Sequence, residues 1–171
     1  GPRRTGPDTL PKRIRARAQE TPDRIAMREK DLGLWEEVTW ADYWDRASLV
    51  GHALLALGVE VGDRVAVHSE NRREWLYSDI GITAVRAATV GLYPTNPAPE
   101  VLHVLRDSGS CVLIAEDQEQ VDKYLEIAGE LPDLRTVVYV DPRGIRGRYT
   151  DERLMAWDDF LALGEQHRSE H

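Results

Sequence analysis

The segment R-V-A-V-H-S-E-N-R-R-E-W-L-Y-S-D-I-G-I-T-A-V-R-A-A-T-V-G-L-Y, residues 64–93, decides the fold of this 171-residue chain. It predicts a strand at Arg64 to His68, a helix at Arg72 to Ala88 and a second strand at Thr89 to Tyr93. Both strand segments are apolar or β-branched and lack polar alternation, as expected for parallel strands covered on both faces. Asn71 is the predicted N-cap of the helix, and Glu74 completes a capping box.

The alternation of strands and helices continues beyond this segment. Apolar runs at Cys111 to Ala115 and Thr136 to Val140 predict two more strands, and helices are predicted at Pro99 to Asp107 and Gln118 to Gly129. A β-α-β-α-β-α-β order with right-handed crossovers produces an open parallel sheet with helices on both sides. We therefore predict an α/β fold with an open, mainly parallel sheet flanked by helices on both faces.

A helix and a β-hairpin are predicted before this sheet. The segment from Thr9 to Glu20 predicts an amphipathic helix with Leu10, Ile14 and Ala18 on one stripe. The segments Ile25 to Lys30 and Leu34 to Thr39 predict two strands joined by a tight turn at Asp31 to Gly33.

The hairpin is followed by the clearest helix signal in the chain. Thr39 is a good N-cap with Asp42 three residues later, and Val38 and Tyr43 occupy the positions of a hydrophobic staple. Gly58 marks the end of the helix, where a left-handed residue is expected. One face of the helix is apolar and consists of Tyr43, Ala47, Val50, Leu54 and Leu57.

Composition excludes several classes of function. The net charge of −8 argues against nucleic acid as a partner, because phosphate binding needs a positive field. No apolar run is long enough to span a membrane and no signal peptide opens the sequence, so we expect a cytoplasmic protein. The basic helix at 9–20 allows at most peripheral membrane contact. The single cysteine, Cys111, excludes an internal disulfide and a cysteine-based metal site.

Candidate functional residues follow the strands, because ligands of open parallel sheets bind at the carboxyl ends of the strands. These ends carry His68 to Asn71, Tyr93 to Pro97, Glu116-Asp117 and Asp141. His68 and Glu70 are candidates for an acid–base pair, but no nucleophile lies beside them, and we favour a helix start at this position. Within 93–97, Thr95 and Asn96 are candidates to contact a ligand or, more simply, to satisfy backbone groups.

The common catalytic motifs are absent. None of the three lysines, Lys12, Lys30 and Lys123, follows a glycine, which excludes a Walker-type phosphate loop. Ser108 to Ser110 precedes a strand and is predicted to be a turn. Three histidines are isolated and lack metal-ligand spacing: His52, His103 and His167. The five tryptophans are predicted to pack in the core: Trp35, Trp40, Trp44, Trp75 and Trp157.

Several segments resemble, in order, the amino-terminal region of the adenylate-forming, or AMP-binding, superfamily and specifically its long-chain fatty acyl-CoA synthetases. The segments that carry the resemblance are W-E-E-V-T-W-A-D-Y (35–43), G-V-E-V-G-D-R-V-A-V (58–67), S-E-N-R-R-E-W (69–75), V-G-L-Y-P-T-N-P (90–97), L-R-D-S-G-S-C-V-L-I-A-E-D (105–117), L-P-D-L-R-T-V-V-Y (131–139) and L-M-A-W-D-D-F-L (154–161).

The resemblance implies an enzyme that joins a fatty acid to ATP and transfers the acyl group to coenzyme A, with ATP, Mg²⁺ and CoA as cofactors and substrates. The family's phosphate loop, adenine and ribose motifs and carboxyl-terminal lysine have no counterpart in this sequence. We therefore expect an inactive amino-terminal fragment of a synthetase, whose partner is the missing carboxyl-terminal part of its own enzyme. No catalytic, cofactor-binding or metal-binding residue is predicted within it.

The predicted organisation has three parts. Residues 1–8 are a flexible lead in which Gly1-Pro2 resembles a protease-cleavage scar, 9–165 are a partial amino-terminal α/β domain of the synthetase, and 166–171 are a polar tail. Within the domain, a polar loop at 142–151 precedes a last short helix at Trp157 to Leu163. Two alternatives stay open: a stand-alone, non-catalytic module that binds another protein or forms a homodimer, and a flavodoxin-like nucleotide or flavin binder, for which only fold analogy speaks.

Overall fold

The computed structural model describes residues 8–171, so the lead predicted at 1–8 lies outside the described residues except for Asp8. The elements follow in the order α1 Leu10–Glu20, β1 Ile25–Asp31, β2 Leu34–Thr39, α2 Trp40–Ala56, β3 Arg64–His68, α3 Arg73–Ala84, β4 Ala88–Leu92, α4 Ala98–Ser108, β5 Val112–Ala115, α5 Gln118–Ile127, β6 Thr136–Tyr139, β7 Leu154–Ala156 and α6 Trp157–Glu170.

Five strands form one parallel sheet in the order β4-β3-β5-β6-β7. The predicted open, mainly parallel sheet with helices on both faces is therefore confirmed. The hairpin β1–β2 forms a separate antiparallel pair. Its turn places Leu32 at φ +47° and Gly33 at φ +84°, the pair of positive values that a two-residue turn between twisted strands requires.

Side chains alternate between two cores across the sheet. Val65 and Val67 of β3 belong to the core beneath α1, α2, α3 and α6, whereas Ala66 between them faces α4 and α5. The same alternation holds in β5, where Leu113 and Ile114 point to opposite cores. Because both faces are buried, the strands need no polar positions, which explains their apolar sequences.

Helix α2 begins with the predicted capping box. The Thr39 hydroxyl accepts the Asp42 N–H at 3.1 Å, and the Asp42 carboxylate accepts the Thr39 N–H at 3.3 Å. Val38 and Tyr43 are both buried at the staple positions. Gly58 follows the helix at φ +80°, as predicted.

Glycines let α2 approach two neighbouring helices closely. A β-carbon on Gly81 of α3 would lie 2.7 Å from the Val50 side chain and 2.8 Å from the Ala47 carbonyl oxygen. A β-carbon on Gly164 of α6 would overlap the Leu49 carbonyl oxygen. Both contacts are too short for any larger residue. The backbones of α3 and α6 therefore pack directly against the backbone and side chains of α2.

An ion-pair cluster around Arg73 attaches the hairpin to α3. The Arg73 guanidinium pairs with Glu36, with Glu29 at 3.4 Å and with Glu74 at 3.3 Å. The Glu29 carboxylate also accepts the Arg73 backbone N–H at 3.4 Å. Two strands and the first turn of α3 are thus held by one side chain.

The capping predicted for α3 is wrong. The helix begins at Arg73 with Arg72 at the N-cap position, and no side-chain cap bond forms there. Asn71 is exposed and lies outside the helix. The Arg73 N–H at the start of the helix instead donates to the carboxylate of Glu29 in the hairpin. The helix also ends at Ala84, since Arg86 adopts φ +63° and leaves the helical region.

Two further differences lie near the carboxyl terminus. Strand β7 was not predicted, because it has three residues and exists only by pairing with β6. Helix α6 continues to Glu170, beyond the predicted end at Leu163, so most of the predicted polar tail at 166–171 is helical. Among residues 8–171, no helix combines the length and the apolar character needed to cross a membrane.

The capping box predicts a measurable difference between two threonines. Thr39→Ala removes the side-chain acceptor at the start of α2 and should lower the free energy of unfolding by about 1 kcal/mol. Thr9 is the N-cap of α1 but makes no side-chain cap bond, so Thr9→Ala is the matched control. Urea unfolding followed by circular dichroism measures both, and equal effects would contradict the prediction.

The close helix contacts predict that alanine is destabilising at Gly164. A helix interior normally gains about 1 kcal/mol when alanine replaces glycine. Gly164→Ala should instead cost about 2 kcal/mol, because the new methyl group overlaps the α2 backbone. Gly129, around which an added β-carbon meets nothing within 4 Å, provides the control substitution Gly129→Ala. Thermal unfolding of both variants decides the matter, and a stabilised Gly164→Ala variant would refute the close contact.

Candidate functional site at the carboxyl edge of the sheet

The carboxyl ends of the strands bring the predicted candidates together. The Glu116 N–H donates to the His68 carbonyl at 3.0 Å, and the Asp141 N–H donates to the Glu116 carbonyl at 2.8 Å. The His68 ring contacts the Tyr93 carbonyl at 2.9 Å. All four segments identified in the sequence therefore meet along one edge, in the order imposed by the parallel strands.

His68 is a buried structural residue of this edge. Its side chain is fully inaccessible, and Nε2 lies 2.9 Å from the Tyr93 carbonyl oxygen, which can only accept, so Nε2 carries the proton. Nδ1 has no partner among the described residues. Burial lowers the pKa of His68 to about 4, and the ring is neutral at physiological pH. Glu70 is exposed, and the structure does not form the alternative acid–base pair with it.

The carboxylates of the edge are engaged with neighbouring groups. Glu116 contacts Arg72 at 3.1 Å through one oxygen and accepts the Glu70 N–H at 3.0 Å through the other. Asp117 caps α5 by accepting the Gln120 N–H at 3.3 Å. Asp141 forms several bonds with Arg143, and this pairing holds the pKa of Asp141 below its usual value. Burial raises the pKa of Asp117 above its usual value. The contacts of the three carboxylates leave few of their oxygens free to bind a ligand.

The turn at 93–97 is fixed by its own side chains. The Asn96 side chain accepts the Tyr93 N–H at 2.8 Å and donates to Glu100 at 2.6 Å. Asn96 therefore satisfies a backbone group of the turn, as the simpler of its two interpretations predicts. The Pro94 carbonyl accepts Lys123 Nζ at 2.6 Å and Gln120 Nε2 at 3.3 Å. Thr95 is exposed. These two α5 residues were not candidates from the sequence, since no local pattern relates them to the turn.

The remaining candidates also have structural roles, with two corrections. Ser108 to Ser110 forms the predicted turn, with Gly109 at φ +62°. His52 and His167 are not isolated, because their Nδ1 atoms lie 3.0 Å apart across the α2–α6 interface. Trp35 is 67% exposed at the hairpin, although core packing was predicted for it. Among residues 8–171, no group of three or more His, Cys, Asp or Glu side chains is placed to hold a metal ion.

Comparison with known proteins identifies the family. The family model described as AMP-binding enzyme matches residues 14–164, nearly the whole chain. The chain belongs to the AMP-binding enzyme family. The matched residues include all the segments that carry the resemblance in the sequence.

Two curated relatives of this chain are described as a long-chain-fatty-acid–CoA ligase and a fatty acyl-CoA synthetase. The ligase FadD15 of Mycobacterium bovis is 36% identical over 126 residues, covering 74% of this chain and 21% of the relative. Fatty acyl-CoA synthetase A of Dictyostelium discoideum is 34% identical over 131 residues, covering 74% of this chain and 19% of the relative. The chain thus spans about a fifth of the length of the curated relatives it matches.

A solved structure agrees with the family assignment. The anthranilate CoA ligase AuaEII, in complex with anthranoyl-AMP, superposes with a TM-score of 0.71 and 27% identity, over 87% of this chain and 27% of the ligase. In the CoA ligases of similar structure, the part that superposes on this chain is the amino-terminal domain.

The buried histidine predicts a pH-dependent stability. A pKa of about 4 in the folded chain against about 6.5 in the unfolded chain means that stability is lost as the pH falls through this window. Between pH 7.5 and 5.0 the loss due to His68 should be about 2 kcal/mol. His68→Gln retains a donor for the Tyr93 carbonyl but does not titrate, so it should lose less stability over this interval.

Urea unfolding at both pH values measures this loss. His103 is exposed on α4, and His103→Gln should keep the full decrease seen in the parent chain. An unchanged decrease in His68→Gln would contradict the assignment of the titration to His68.

Proposed function

We propose that this chain is the amino-terminal portion of a long-chain fatty acid–CoA ligase, where it supports a site completed elsewhere in the enzyme. The observation that carries the proposal is the 36% identity to the Mycobacterium bovis ligase over 126 residues. The whole enzyme would form an acyl-adenylate from a fatty acid and ATP, with Mg²⁺, and transfer the acyl group to CoA. The partner of this chain is then the remainder of the same polypeptide.

Among residues 8–171, the carboxylates at the carboxyl edge of the sheet do not fit a site for Mg²⁺. Both oxygens of Glu116 are engaged, Asp117 caps a helix and Asp141 is paired with Arg143. We therefore assign no catalytic, cofactor-binding or metal-binding role to any residue in it, and we expect the chain to be inactive alone. The role of the carboxyl-edge network is to fix the loops on which the rest of the enzyme is built.

The cellular location of the ligase is part of the proposal. We place it in the cytoplasm, with at most peripheral membrane contact through α1, whose exposed face carries Lys12, Arg15 and Arg17. Ile14 of this helix is buried, which leaves Leu10 as its one large exposed apolar side chain for insertion into a lipid surface. This weak apolar face favours contact by charge over stable anchoring.

A second candidate function is a non-catalytic module that forms a homodimer. The observation that favours it is the exposed apolar tip of the hairpin, where Leu32, Leu34 and Trp35 are 95%, 73% and 67% exposed. Three neighbouring apolar side chains on one tip are typical of a surface that another polypeptide covers. Light scattering separates the candidates, because this module requires a mass twice that of the 19.4 kDa chain.

The activity test compares the chain with a polypeptide extended through the rest of its gene. With a long-chain fatty acid, ATP, Mg²⁺ and CoA, the extended polypeptide should release AMP and form acyl-CoA, while the 171-residue chain should give no AMP above a blank. Reactions without fatty acid provide the control for ATP hydrolysis. Turnover by the short chain, or no acyl-CoA from the extended one, would overturn the proposal.

A further inference from the structure

A cavity of about 400 Å³ lies where the start of α1 and the end of α3 meet α2. Arg86, which lines it, belongs to the amino edge of the sheet, where its carbonyl oxygen accepts the Gly62 N–H at 2.9 Å. The candidate functional site lies at the opposite, carboxyl edge. Volumes of about 300–1,000 Å³ are typical of small-molecule sites. The cavity, called here the α1–α3 cavity, is therefore large enough to hold a ligand of its own.

Three basic side chains line the α1–α3 cavity: Lys12, Arg15 and Arg86. Lys12 is paired with Asp8 at 2.9 Å. Within residues 8–171, neither the Arg15 nor the Arg86 guanidinium has an ion-pair or hydrogen-bond partner, and none of the described lining residues is acidic. Two uncompensated positive charges therefore meet at one small cavity, in a chain whose net charge is −8. Such a local positive field attracts an anion.

The backbone at Arg86 does not call for an arginine. Arg86 adopts φ +63°, a left-handed conformation in which glycine or asparagine is the usual residue. Its N–H donates to the Thr83 carbonyl at 3.1 Å and closes the turn after α3, a role that needs no side chain. A long basic side chain at this position is thus explained by what its guanidinium can bind, not by the turn.

The α1–α3 cavity also has an apolar lining, formed by Pro11, Trp44 and Ala84. Pro11 and Trp44 are half-buried, and Trp44 packs against the core beneath α2, whereas Arg15 and Arg86 are exposed. A bare inorganic anion would leave the apolar groups uncovered, and a neutral apolar molecule would leave the two arginines without a counter-charge. A molecule that carries both an anionic and an apolar part satisfies both.

We propose that the α1–α3 cavity binds an anionic amphiphile, a carboxylate or phosphate attached to an apolar chain. Arg15 and Arg86 bind the head group, and the chain lies against Trp44. A free fatty acid and the head group of an acidic membrane lipid both present this chemistry. Binding requires neither ATP, nor CoA, nor any residue outside this chain, so the inference goes beyond the proposed function and stands or falls separately from it.

Nuclear magnetic resonance of the ¹⁵N-labelled 171-residue chain tests the binding with three probes at pH 7. Octanoate carries both the head group and the chain, acetate only the head group and octanol only the chain. Octanoate should shift the amide resonances of Arg15, Thr83 and Arg86 in a saturable manner. Acetate and octanol should bind at least about tenfold more weakly, because each lacks one of the two contributions. Equal affinity for acetate or octanol would contradict an amphiphile site.

Substitutions assign the binding to the two arginines. Arg86→Asn removes the charge and places a residue that tolerates positive φ, and Arg15→Gln keeps a polar side chain on α1. Each should weaken octanoate binding by about threefold, and the double variant by about tenfold. Arg17 is exposed on the same helix but does not line the cavity, so Arg17→Gln is the matched control and should bind as the parent chain does.

Thermal unfolding shows whether each variant retains the fold, and Arg15→Gln carries the test alone if Arg86→Asn does not. Undiminished octanoate binding in Arg15→Gln would refute the assignment to the cavity.

Vesicles distinguish the two sources of the ligand. If the source is a membrane lipid, the chain should sediment with phosphatidylglycerol vesicles but not with phosphatidylcholine vesicles, and Arg15→Gln and Arg86→Asn should reduce sedimentation more than Arg17→Gln does. If the source is a free amphiphile, octanoate binds and the cavity variants leave sedimentation unchanged. Binding of neither octanoate nor phosphatidylglycerol vesicles would overturn the proposal. Without octanoate binding, an equal loss of sedimentation in Arg17→Gln would also do so, because it indicates diffuse charge attraction.

Discussion

The structure depends on how closely α2 packs against its two neighbours. Gly81 and Gly164 bring α3 and α6 against the backbone and side chains of α2 at distances that exclude a methyl group. This approach places three helices in one layer over a single face of the sheet, above Val65 and Val67. The loops at the carboxyl edge take their positions from the strands held beneath that layer.

Much of the fold could be predicted, because its signals are local. The apolar strand runs, the Thr39–Asp42 capping box and Gly58 each report a conformation through neighbouring residues. Two of the failures are long-range. Strand β7 exists through β6, and the start of α3 is stabilised by Glu29, more than forty residues earlier in the sequence. No pattern within a window of the sequence contains these partners.

The sequence predicted where the candidate site lies but not the hydrogen bonds between its residues. Parallel topology alone indicated that the residues after each strand would meet at one edge. The hydrogen bonds that define their roles come in part from Arg72 and Lys123, whose partners lie 44 and 29 residues away in the sequence. The bond of Arg143 to Asp141 is local, two residues apart. The contact between His52 and His167 was missed for the same reason, since the two rings come from helices far apart in the sequence.

The docking of α6 on α2 joins the last helix of the chain to one of the first. Gly164 meets Leu49 across more than a hundred residues, and the buried Phe160 completes the same core. A nascent chain emerging from the ribosome therefore cannot close this core until α6 has left the exit tunnel. Until then the apolar side of α2 stays exposed, and chaperones that bind apolar segments have access to it.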